Sequence, residues 1–418
     1  MSKVILSINA GSSSVKVSVF SYADKEPKQL AEIQISGLTA PPAKLTYSRG
    51  DENVKDQELS DIKNSQDAYE YILKHLIDDK GLSELNSPDD IEFACHRVVH
   101  GGDYSKPTRI DKDTYHHLEA LSDLAPLHNA GALEIVKAVH AKCPNTTNVA
   151  FFDSAYHQTI PPEAYTYAID PKRAAKNKLR KYGFHGLSYA FILKACVWHL
   201  RSWENETNLI ALHLGSGASI CCIKGGKSVD TSMGLTPLAG LPGATRSGDV
   251  DPSLIFHFTH EAGKPAPGST KELHITQAEQ ILNKESGWKA MTGTTDFGEI
   301  TKRAFEGDAA CKLAFDVFVD RIVGYIGSYF VKLNGDVNAV VFAGGIGEKG
   351  WQLREAVSAK IKFLGFSPDL KGNENPGKGT VVDVGNPGAE HRLLLCRTDE
   401  QLEMARECLE VADEIRKR

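Results

Sequence analysis

Three short, largely apolar runs along the chain end abruptly in glycine and small residues. Val4–Ile8 gives way to Asn9-Ala10-Gly11-Ser12-Ser13-Ser14, Leu209–Leu214 to Gly215-Ser216-Gly217-Ala218-Ser219, and Val340–Phe342 to Ala343-Gly344-Gly345-Ile346-Gly347-Glu348. A β-rich run that stops at glycine reads as a strand entering a sharp turn. The first two continue alike, into the strand-like Val15–Phe20 and Ile220–Ile223, and Lys224-Gly225-Gly226-Lys227 then closes the second as a hairpin. Recurrence of a strand–turn–strand unit about 200 residues apart is a weak internal duplication, and it predicts two related domains side by side with a cleft between them. Helical spacing separates these units. His128–Lys142 carries one apolar face with Asn129 at its start, Ser188 is placed to cap a helix to roughly Trp203, and Lys302–Leu333 reads as two helices or one bent one. Tyr47–Ser65 is polar and reads as a surface excursion, and Leu370–Gly379 as a loop. Strands alternating with helices give an α/β class.

Composition narrows the functions. The chain has 418 residues, enough for two ordinary domains, with 41% hydrophobic and 24% charged residues, as in a globular protein. Lys and Arg number 48 against 54 Asp and Glu, a formal charge of −6, which offers no electrostatic reason to bind nucleic acid or an anionic membrane. An anionic ligand must then be held by a few local arginines. The eight cysteines form no C-x-x-C pair, and several, such as Cys221 and Cys222, sit in apolar runs. A disulfide framework or zinc ribbon is not expected, and a reducing compartment fits. The N-terminus turns polar at Asn9, too soon for a signal-peptide core, and no apolar stretch approaches the ~20 residues of a membrane span. The expectation is a cytoplasmic protein without membrane attachment.

Several segments carry candidate chemistry, each with a plainer alternative. In Asn9–Lys16, a glycine after a strand frees the backbone to turn, and its N–H groups with three serines and Lys16 could surround phosphate oxygens; the alternative is a solvated hairpin turn. Gly345-Ile346-Gly347-Glu348-Lys349-Gly350 matches the dinucleotide fingerprint in form, but no clear strand-ending acid follows at about 20 residues. Gly372 to Lys378 resembles a P-loop, yet Gly379 stands where Ser or Thr should hold Mg²⁺ and a strand-like run follows, so this reads as surface loop. His96-Arg97-Val98-Val99-His100-Gly101-Gly102 and Thr245-Arg246-Ser247-Gly248-Asp249 set arginines in glycine-rich surroundings. Converging arginines suit a small anion, because each can donate two parallel hydrogen bonds; ordinary pairing with nearby acids is the alternative. His96 and His100 are not in helical sequence, and no H-E-x-x-H occurs, so zinc is not expected. Asp153 follows the apolar Phe151-Phe152, where open α/β sheets place catalytic groups or simple caps. His185 stands between Gly183 and Gly186 in a basic, aromatic segment, either structural or a donor to developing negative charge.

Taken in order, these segments resemble the acetate kinase family, within the superfamily of acetate and sugar kinases, heat-shock ATPases and actin. The resemblance runs from Asn9–Ser14 to Arg397-Thr398-Asp399-Glu400, and is most specific over the stretch from Asp230–Gly234 to Asp249-Val250-Asp251-Pro252, with Tyr182–Gly186. It implies duplicated ribonuclease-H-like domains, residues 1–157 and 158–401, with a helix at about 402–418 packing back on the first and an active site in the interdomain cleft. The implied reaction is reversible in-line phosphoryl transfer between ATP and acetate, giving ADP and acetyl phosphate, with Mg²⁺ (or Mn²⁺) and in a homodimer. In its terms Arg97 binds the acetate carboxylate, Arg246 and His185 stabilise the transition state, and Asp153 is the catalytic acid. Val99, Leu127, Phe184 and Pro237 line a methyl pocket, and Asn9 and Glu400 help position the metal. Nucleotide and phosphate fall to Ser12, Ser14, Lys16, His213, Leu214, Gly215, Ser216, Gly217, Asp296, Phe297, Gly298, Gly345, Ile346, Gly347, Glu348 and Lys349.

The chemistry agrees with that resemblance. A carboxylate with pKa near ~4–5 is already a nucleophile at neutral pH, so the obstacle is bringing two anions together, and cations with a divalent ion offset that repulsion. Asp153 then reads as an organiser of Mg²⁺, water or Arg246, not as a proton abstractor. Two positions depart from the family pattern: Ser216 stands where Asn is usual, and Gly298 where Arg is common. Both lie on the nucleotide side, and reduced nucleotide affinity or selectivity is the expectation. Rival readings are a propionate or butyrate kinase, a pyrophosphate-using relative, and a non-catalytic nucleotide-binding sensor. The last is disfavoured by Arg97, Arg246, His185 and Glu400, because nucleotide binding alone requires no carboxylate clamp.

Overall fold

The apolar runs become the central strands of two mixed sheets. The structure, a computed structural model, describes residues 3–11, 13–39, 41–121, 126–267, 269 and 275–417, apart from the side chains of residues 126–128 and 130. The chain divides into two compact units, Met1–Ala155 with Asp399–Arg418, and Tyr156–Thr398.

In the first unit eight strands run in chain order β1 (Val4–Ala10), β2 (Ser14–Ala23), β3 (Glu26–Ser36), β4 (Ala43–Arg49), β5 (Glu52–Leu59), β6 (Ile91–Val98), β7 (Thr108–Arg109) and β8 (Thr147–Phe152). Their order in the sheet is β5-β4-β3-β2-β1-β6-β8-β7, antiparallel from β5 to β1 and parallel across β1, β6 and β8. Strand alternation divides β1 between two layers. Leu6 and Ile8 pack with Ile72, Ile135 and Val139 of the Ser65–Asp78 and Pro126–Lys142 helices. Ser7 turns the other way, where its hydroxyl donates to the Gln401 carbonyl at 2.8 Å and its own carbonyl accepts from the Gln401 side chain at 2.9 Å. The Glu400–Arg416 helix is thereby tied to the middle of the first sheet.

The second unit repeats the plan. Its strands are β9 (Leu209–Leu214), β10 (Ala218–Lys224), β11 (Lys227–Thr231), β12 (Ala339–Ala343), β13 (Val381–Asp383) and β14 (Arg392–Cys396), in sheet order β11-β10-β9-β12-β14-β13. A β9–β10 hairpin beside a parallel β12 matches the β1–β2 hairpin beside β6, so the repeated sequence unit is a repeated strand topology. Ile210, Leu212 and Leu214 pack with Phe315, Phe318 and Ile322 of the Ala309–Lys332 helix in the main core of this unit.

Several elements differ from the sequence expectation. Tyr47–Ser65 is not an excursion: it holds the end of β4, all of β5 and the first residue of a helix, with Tyr47 1% exposed. It reads as polar because β5 is a sheet edge whose residues face water, where charge blocks further pairing. Asn129 is no cap. It lies buried within the Pro126–Lys142 helix, where its side chain exchanges two hydrogen bonds of 3.0 Å with the backbone of His100. Ser188 is buried one turn into the Gly186–Leu200 helix, whose N-cap position belongs to His185. Lys302–Leu333 resolves into two helices, Phe297–Phe305 and Ala309–Lys332, parted at Gly307 (φ +100°) and restarted by Asp308, which accepts from the N–H groups of Ala310 and Cys311. Leu370–Gly379 opens with a helical turn, Leu370–Glu374, capped by Asp369. All eight cysteines are free and buried. Among the described residues no helix is long and apolar enough to cross a membrane.

Phe318 is fully buried, with ring centroids 5.0 Å from Trp288 and 5.1 Å from Phe297. Replacing it by Ala is expected to destabilise the second unit by about 3–5 kcal/mol, through lost burial and the cavity left behind. Urea titration followed by Trp fluorescence measures this, and a loss below about 1 kcal/mol would contradict the packing described.

Candidate active site

In the first unit the parallel strands β1, β6 and β8 end side by side, Ile8 opposite His96 and Arg97 opposite Phe151. Their ends bring Asn9, Arg97 and Asp153 together. Arg97 meets Asp153 through two parallel bonds, Nε to Oδ1 at 2.9 Å and Nη2 to Oδ2 at 2.7 Å, with the carboxylate 1% exposed. Nη1 of the same guanidinium lies 3.3 Å from Asn9 Oδ1 and 3.5 Å from Glu400 Oε2. Glu400 reaches this point because it is the first residue of the helix tied to Ser7, a helix that Asp399 caps by accepting from Leu402 N–H at 2.9 Å. Burial opposes the charge on Arg97, but the Asp153 and Glu400 carboxylates outweigh it and hold the guanidinium pKa above its ordinary value.

Other expected groups of this unit take varied places. Lys16 stands opposite Asn9 in the β1–β2 ladder, so both side chains share one face, and its ammonium pairs with Glu32 at 2.9 Å. The Ser14 carbonyl accepts from Gly11 N–H at 2.9 Å and closes the turn. Val99 is half-buried. Ser12 and the Leu127 side chain lie outside the described residues. The oxygen set suits Mg²⁺, which uses one or two carboxylates and completes its shell with water and phosphate. Asn9 Oδ1 and Glu400 Oε2 converge on one nitrogen and so lie close together. Among the described residues there is no cluster of three or more His, Cys, Asp or Glu that would enclose a metal by itself.

In the second unit His185 adopts φ +59°, and a hydrogen-bond network holds it there. Its Nδ1 lies 2.8 Å from Ser219 Oγ, which in turn meets the Tyr189 hydroxyl at 2.5 Å, and its ring stacks on His213 with centroids 4.2 Å apart. The preceding residue, Phe184, is buried, and its carbonyl accepts from Nε2 of the buried His157 at 2.9 Å. With His157 Nε2 donating, its Nδ1 accepts from the Ser228 hydroxyl at 2.7 Å. Gly183, at φ +79°, is required here, since a Cβ would come within 2.4 Å of Thr231 and 2.7 Å of the His157 ring.

Arg246 lies over the Gly215–Gly217 turn. A Cβ on Gly217 would be 2.4 Å from its Nη2, so glycine is what admits the guanidinium. The loop is pinned there by Ala244 N–H donating to the Ser216 carbonyl at 2.8 Å, and Nη1 donates to the Pro237 carbonyl at 3.0 Å. Pro237 thus anchors the arginine through its backbone. Lys284 is near enough that burial and then the charge on Arg246 lower its pKa. Two neighbouring cations repel, and an anion bound there would relieve the repulsion.

A cavity of about 710 Å³ opens in the same unit. Gly215, Ser216, Asp296, Phe297, Gly298, Gly345, Ile346 and Lys349 line it, together with Lys302, Phe305 and Glu306, which the sequence reading did not single out. His213, Leu214, Gly217, Gly347 and Glu348 do not line it; Leu214 and Gly347 are buried beneath. The Gly345–Gly350 stretch is no dinucleotide turn but a helical turn, Gly344–Lys349, at the end of β12. Gly344 takes φ +73°, and a Cβ on it would press to 2.7 Å from the Leu214 carbonyl, so two strand ends meet at the cavity floor. Asp296 caps the Phe297–Phe305 helix, accepting from Gly298 N–H at 2.8 Å.

Residues 4–406 match the model of the acetokinase family. The chain belongs to the acetokinase family. It is 55% identical to a probable acetate kinase of Emericella nidulans over 97% of both chains, and 38% identical to an acetate kinase of Staphylococcus aureus over 98% of both. Among solved structures it is similar to the acetate kinase of Porphyromonas gingivalis (TM-score 0.84, 32% identity, 98% of this chain and 100% of that one). It is equally similar to a propionate kinase of Francisella tularensis (TM-score 0.84, 33% identity, 97% and 98%). The fold is that of these kinases, two duplicated actin-like ATPase domains, and the family reaction converts ATP and acetate to ADP and acetyl phosphate.

Ser219, Tyr189, His157 and Lys284 escaped the sequence reading. Only Ser219 carried a signal, as the last residue of the second glycine turn. His96 and His157 make a pH prediction. Burial pushes both down to about 4, the bond that His96 donates to Asn148 and the one that His157 donates to the Phe184 carbonyl opposing this. His96 Nε2 meets Asn148 Oδ1 at 2.8 Å, and among the described residues its buried Nδ1 has no acceptor for a second proton. A His depressed in the folded state stays neutral there while the unfolded chain, with pKa near ~6.5, takes up protons. Stability is therefore full above about 6.5 and falls as pH drops toward about 4, by up to roughly 3 kcal/mol per histidine. Urea midpoints from pH 7.5 to 4.5 measure it. His157→Gln should flatten the curve, and an unchanged slope would refute the assignment.

Proposed function

We propose that this family member phosphorylates acetate with Arg97 holding the acceptor carboxylate and with His185 and Arg246 acting on the transferring phosphoryl group. The observation that carries the reading is the guanidinium of Arg97, gripped on one edge by Asp153, so that the second N–H of Nη2 remains on the other edge beside Nη1, which an acetate oxygen would share with Asn9 and Glu400. A guanidinium locked in this way offers a carboxylate a prepared pair of donors at little further entropic cost. Acetate is already anionic at neutral pH, so no base need remove a proton from it. One acetate oxygen attacks the terminal phosphorus of ATP, the new O–P bond forms as the bond to the ADP oxygen breaks, and the electron pair leaves on ADP. Asp153, with both oxygens engaged by Arg97, acts as the organiser of that arginine and not as a proton carrier.

Negative charge on the phosphoryl oxygens meets His185, whose ring is fixed by Ser219 and His213, and Arg246, fixed by Pro237. Preorganised donors of this kind need no reorientation as charge develops. Asn9 and Glu400 would hold Mg²⁺ or Mn²⁺, which when bound neutralises phosphate charge. The nucleotide occupies the cavity between Gly298 and Ile346, with Lys302 and Lys349 beside its charged groups. The methyl end of acetate falls to Val99, Leu127, Phe184 and Pro237. A homodimer accords with the exposed apolar side chains of Leu254, Phe256 and Phe258, and a cytoplasmic setting with eight free thiols.

Acetyl phosphate trapped as its hydroxamate reports turnover, and rates with acetate, propionate and butyrate report the acyl range. Arg97→Lys keeps a charge but loses the fork, and is expected to lower kcat/KM for acetate by about 100-fold or more while KM for ATP stays within about twofold. An unchanged acetate KM in that variant would sink the carboxylate role. On the nucleotide side, Ser216→Asn and Gly298→Arg should each lower KM for ATP; values equal to wild type would show that neither departure matters.

A further inference from the structure

The cavity floor rests on an arginine that neither the sequence reading nor the mechanism has used. Arg354, in the Trp351–Ile361 helix, is 1% exposed. Among the described residues its partners are all carbonyl oxygens and none is a carboxylate. Nη1 donates to the carbonyls of Gly347 and Glu348 at 2.8 and 2.9 Å, Nε to Asn373 Oδ1 at 2.7 Å, and Nη2 to the Asn373 carbonyl. Asn373 is 2% exposed and donates from Nδ2 to the Trp351 carbonyl at 2.9 Å, which closes the circuit onto the helix that carries the arginine. Burial, and then the charge of Arg397, lower the Arg354 pKa to about 10, so this cation is held in a place that does not welcome charge. A buried guanidinium without a counter-ion is costly unless its donors are filled. Here four are, and two of them fasten the last carbonyls of the Gly344–Lys349 turn.

That turn bears Gly345, Ile346 and Lys349, three residues of the cavity wall. It is only six residues long, and Ala343, which precedes it, makes no side-chain capping bond, so its own hydrogen bonds hold it weakly. A cation at the exposed carbonyls of a helix C-terminus both satisfies them and opposes the negative end of the dipole. Asn373 lies in the Gly372–Lys378 stretch that looked like a P-loop in the sequence; its side chain is buried and supports the arginine. We propose that Arg354, seated by Asn373, is a positioning residue that fixes the Gly344–Lys349 turn as a nucleotide-binding wall. Arg354 touches no substrate. It acts through the aim of the Ile346 side chain and the Gly345 backbone. This rests on the assignment of the cavity to the nucleotide.

Steady-state kinetics on the full chain test it, with ATP and acetate varied separately. Arg354→Met keeps bulk but loses all donors, and should raise KM for ATP about 10-fold or more with KM for acetate within twofold. Asn373→Ala should raise KM for ATP about threefold to tenfold, and Arg354→Lys should recover part of the loss. If Arg354→Met does not fold, Asn373→Ala carries the test alone. Gly345→Leu is the control, because Gly345 has open space for a Cβ and lines the cavity, so a larger side chain there projects into it. A normal ATP KM in the Arg354 and Asn373 variants, with a raised one in Gly345→Leu, overturns the positioning role and leaves the nucleotide cavity standing. Equal rises in both KM values overturn it as well, since that is the mark of general destabilisation. A normal ATP KM in Gly345→Leu removes the nucleotide from this cavity, and the inference falls with it.

Discussion

The Arg97–Asp153 pair is the constraint on which the first unit's chemistry depends. Breaking such a buried pair by removing one partner typically costs about 3–5 kcal/mol, because the other charge is left unsolvated. The pair can form only if strands β6 and β8 end at the same level, and their parallel register, Arg97 opposite Phe151, sets that level. Asp153 follows β8 directly, and its N–H donates to the Val98 carbonyl at 3.2 Å, so backbone and side chain hold it against β6 together. A site built on strand ends is more rigid than one carried on a loop.

The same reasoning explains why residues near the end of the chain belong to the first unit. Glu400 must stand within reach of Arg97, and a helix N-terminus is the easiest part of a helix to misplace. Two hydrogen bonds between Ser7 and Gln401 prevent this by tying the second residue of the Glu400–Arg416 helix to the central strand. A polar pair buried between a strand and a helix adds little net stability, but it specifies register, since a slip would leave both partners unpaired. Ser7 interrupts the apolar run of β1 for that reason.

Much of this arrangement was legible in the sequence, and the gaps have physical causes. The glycine-terminated strands were clear because a buried central strand is apolar throughout and its exit needs backbone freedom. The duplication followed from two such units. Strand β5 was not legible: an edge strand facing water has polar composition and loses the alternation that reveals strands. The helix start at His185 was missed because φ +59° on a non-glycine residue is imposed by tertiary contacts, and local cap chemistry favoured Ser188. Arg97, Arg246, Asp153 and His185 were found as residue types in suggestive settings, but their partners were not. Asp153 was read as an organiser of Mg²⁺, water or Arg246; that its carboxylate also grips Arg97, 56 positions away, is a pairing no local pattern encodes. Arg354 lies in an ordinary amphipathic helix and carried no signal.

How each arginine is anchored indicates what it is for. Arg97 is held by carboxylates, one guanidinium against Asp153 and Glu400, so the cluster has a formal charge of minus one, and on the proposed reading a divalent ion at Asn9 and Glu400 would turn it positive before acetate binds. Arg246 donates to the neutral carbonyl of Pro237 and lies near Lys284, whose pKa its charge helps to lower. A carboxylate anchor gives direction to a guanidinium while cancelling its charge, whereas a carbonyl anchor gives direction and leaves the charge in force. On the proposed reading the divalent ion goes with Asn9 and Glu400, and the phosphoryl group with Arg246. Arg354 extends the rule: held by carbonyls yet sealed from solvent, its charge is directed at neutral oxygens, two of them in the Gly344–Lys349 turn and two in Asn373, and it joins the one to the other.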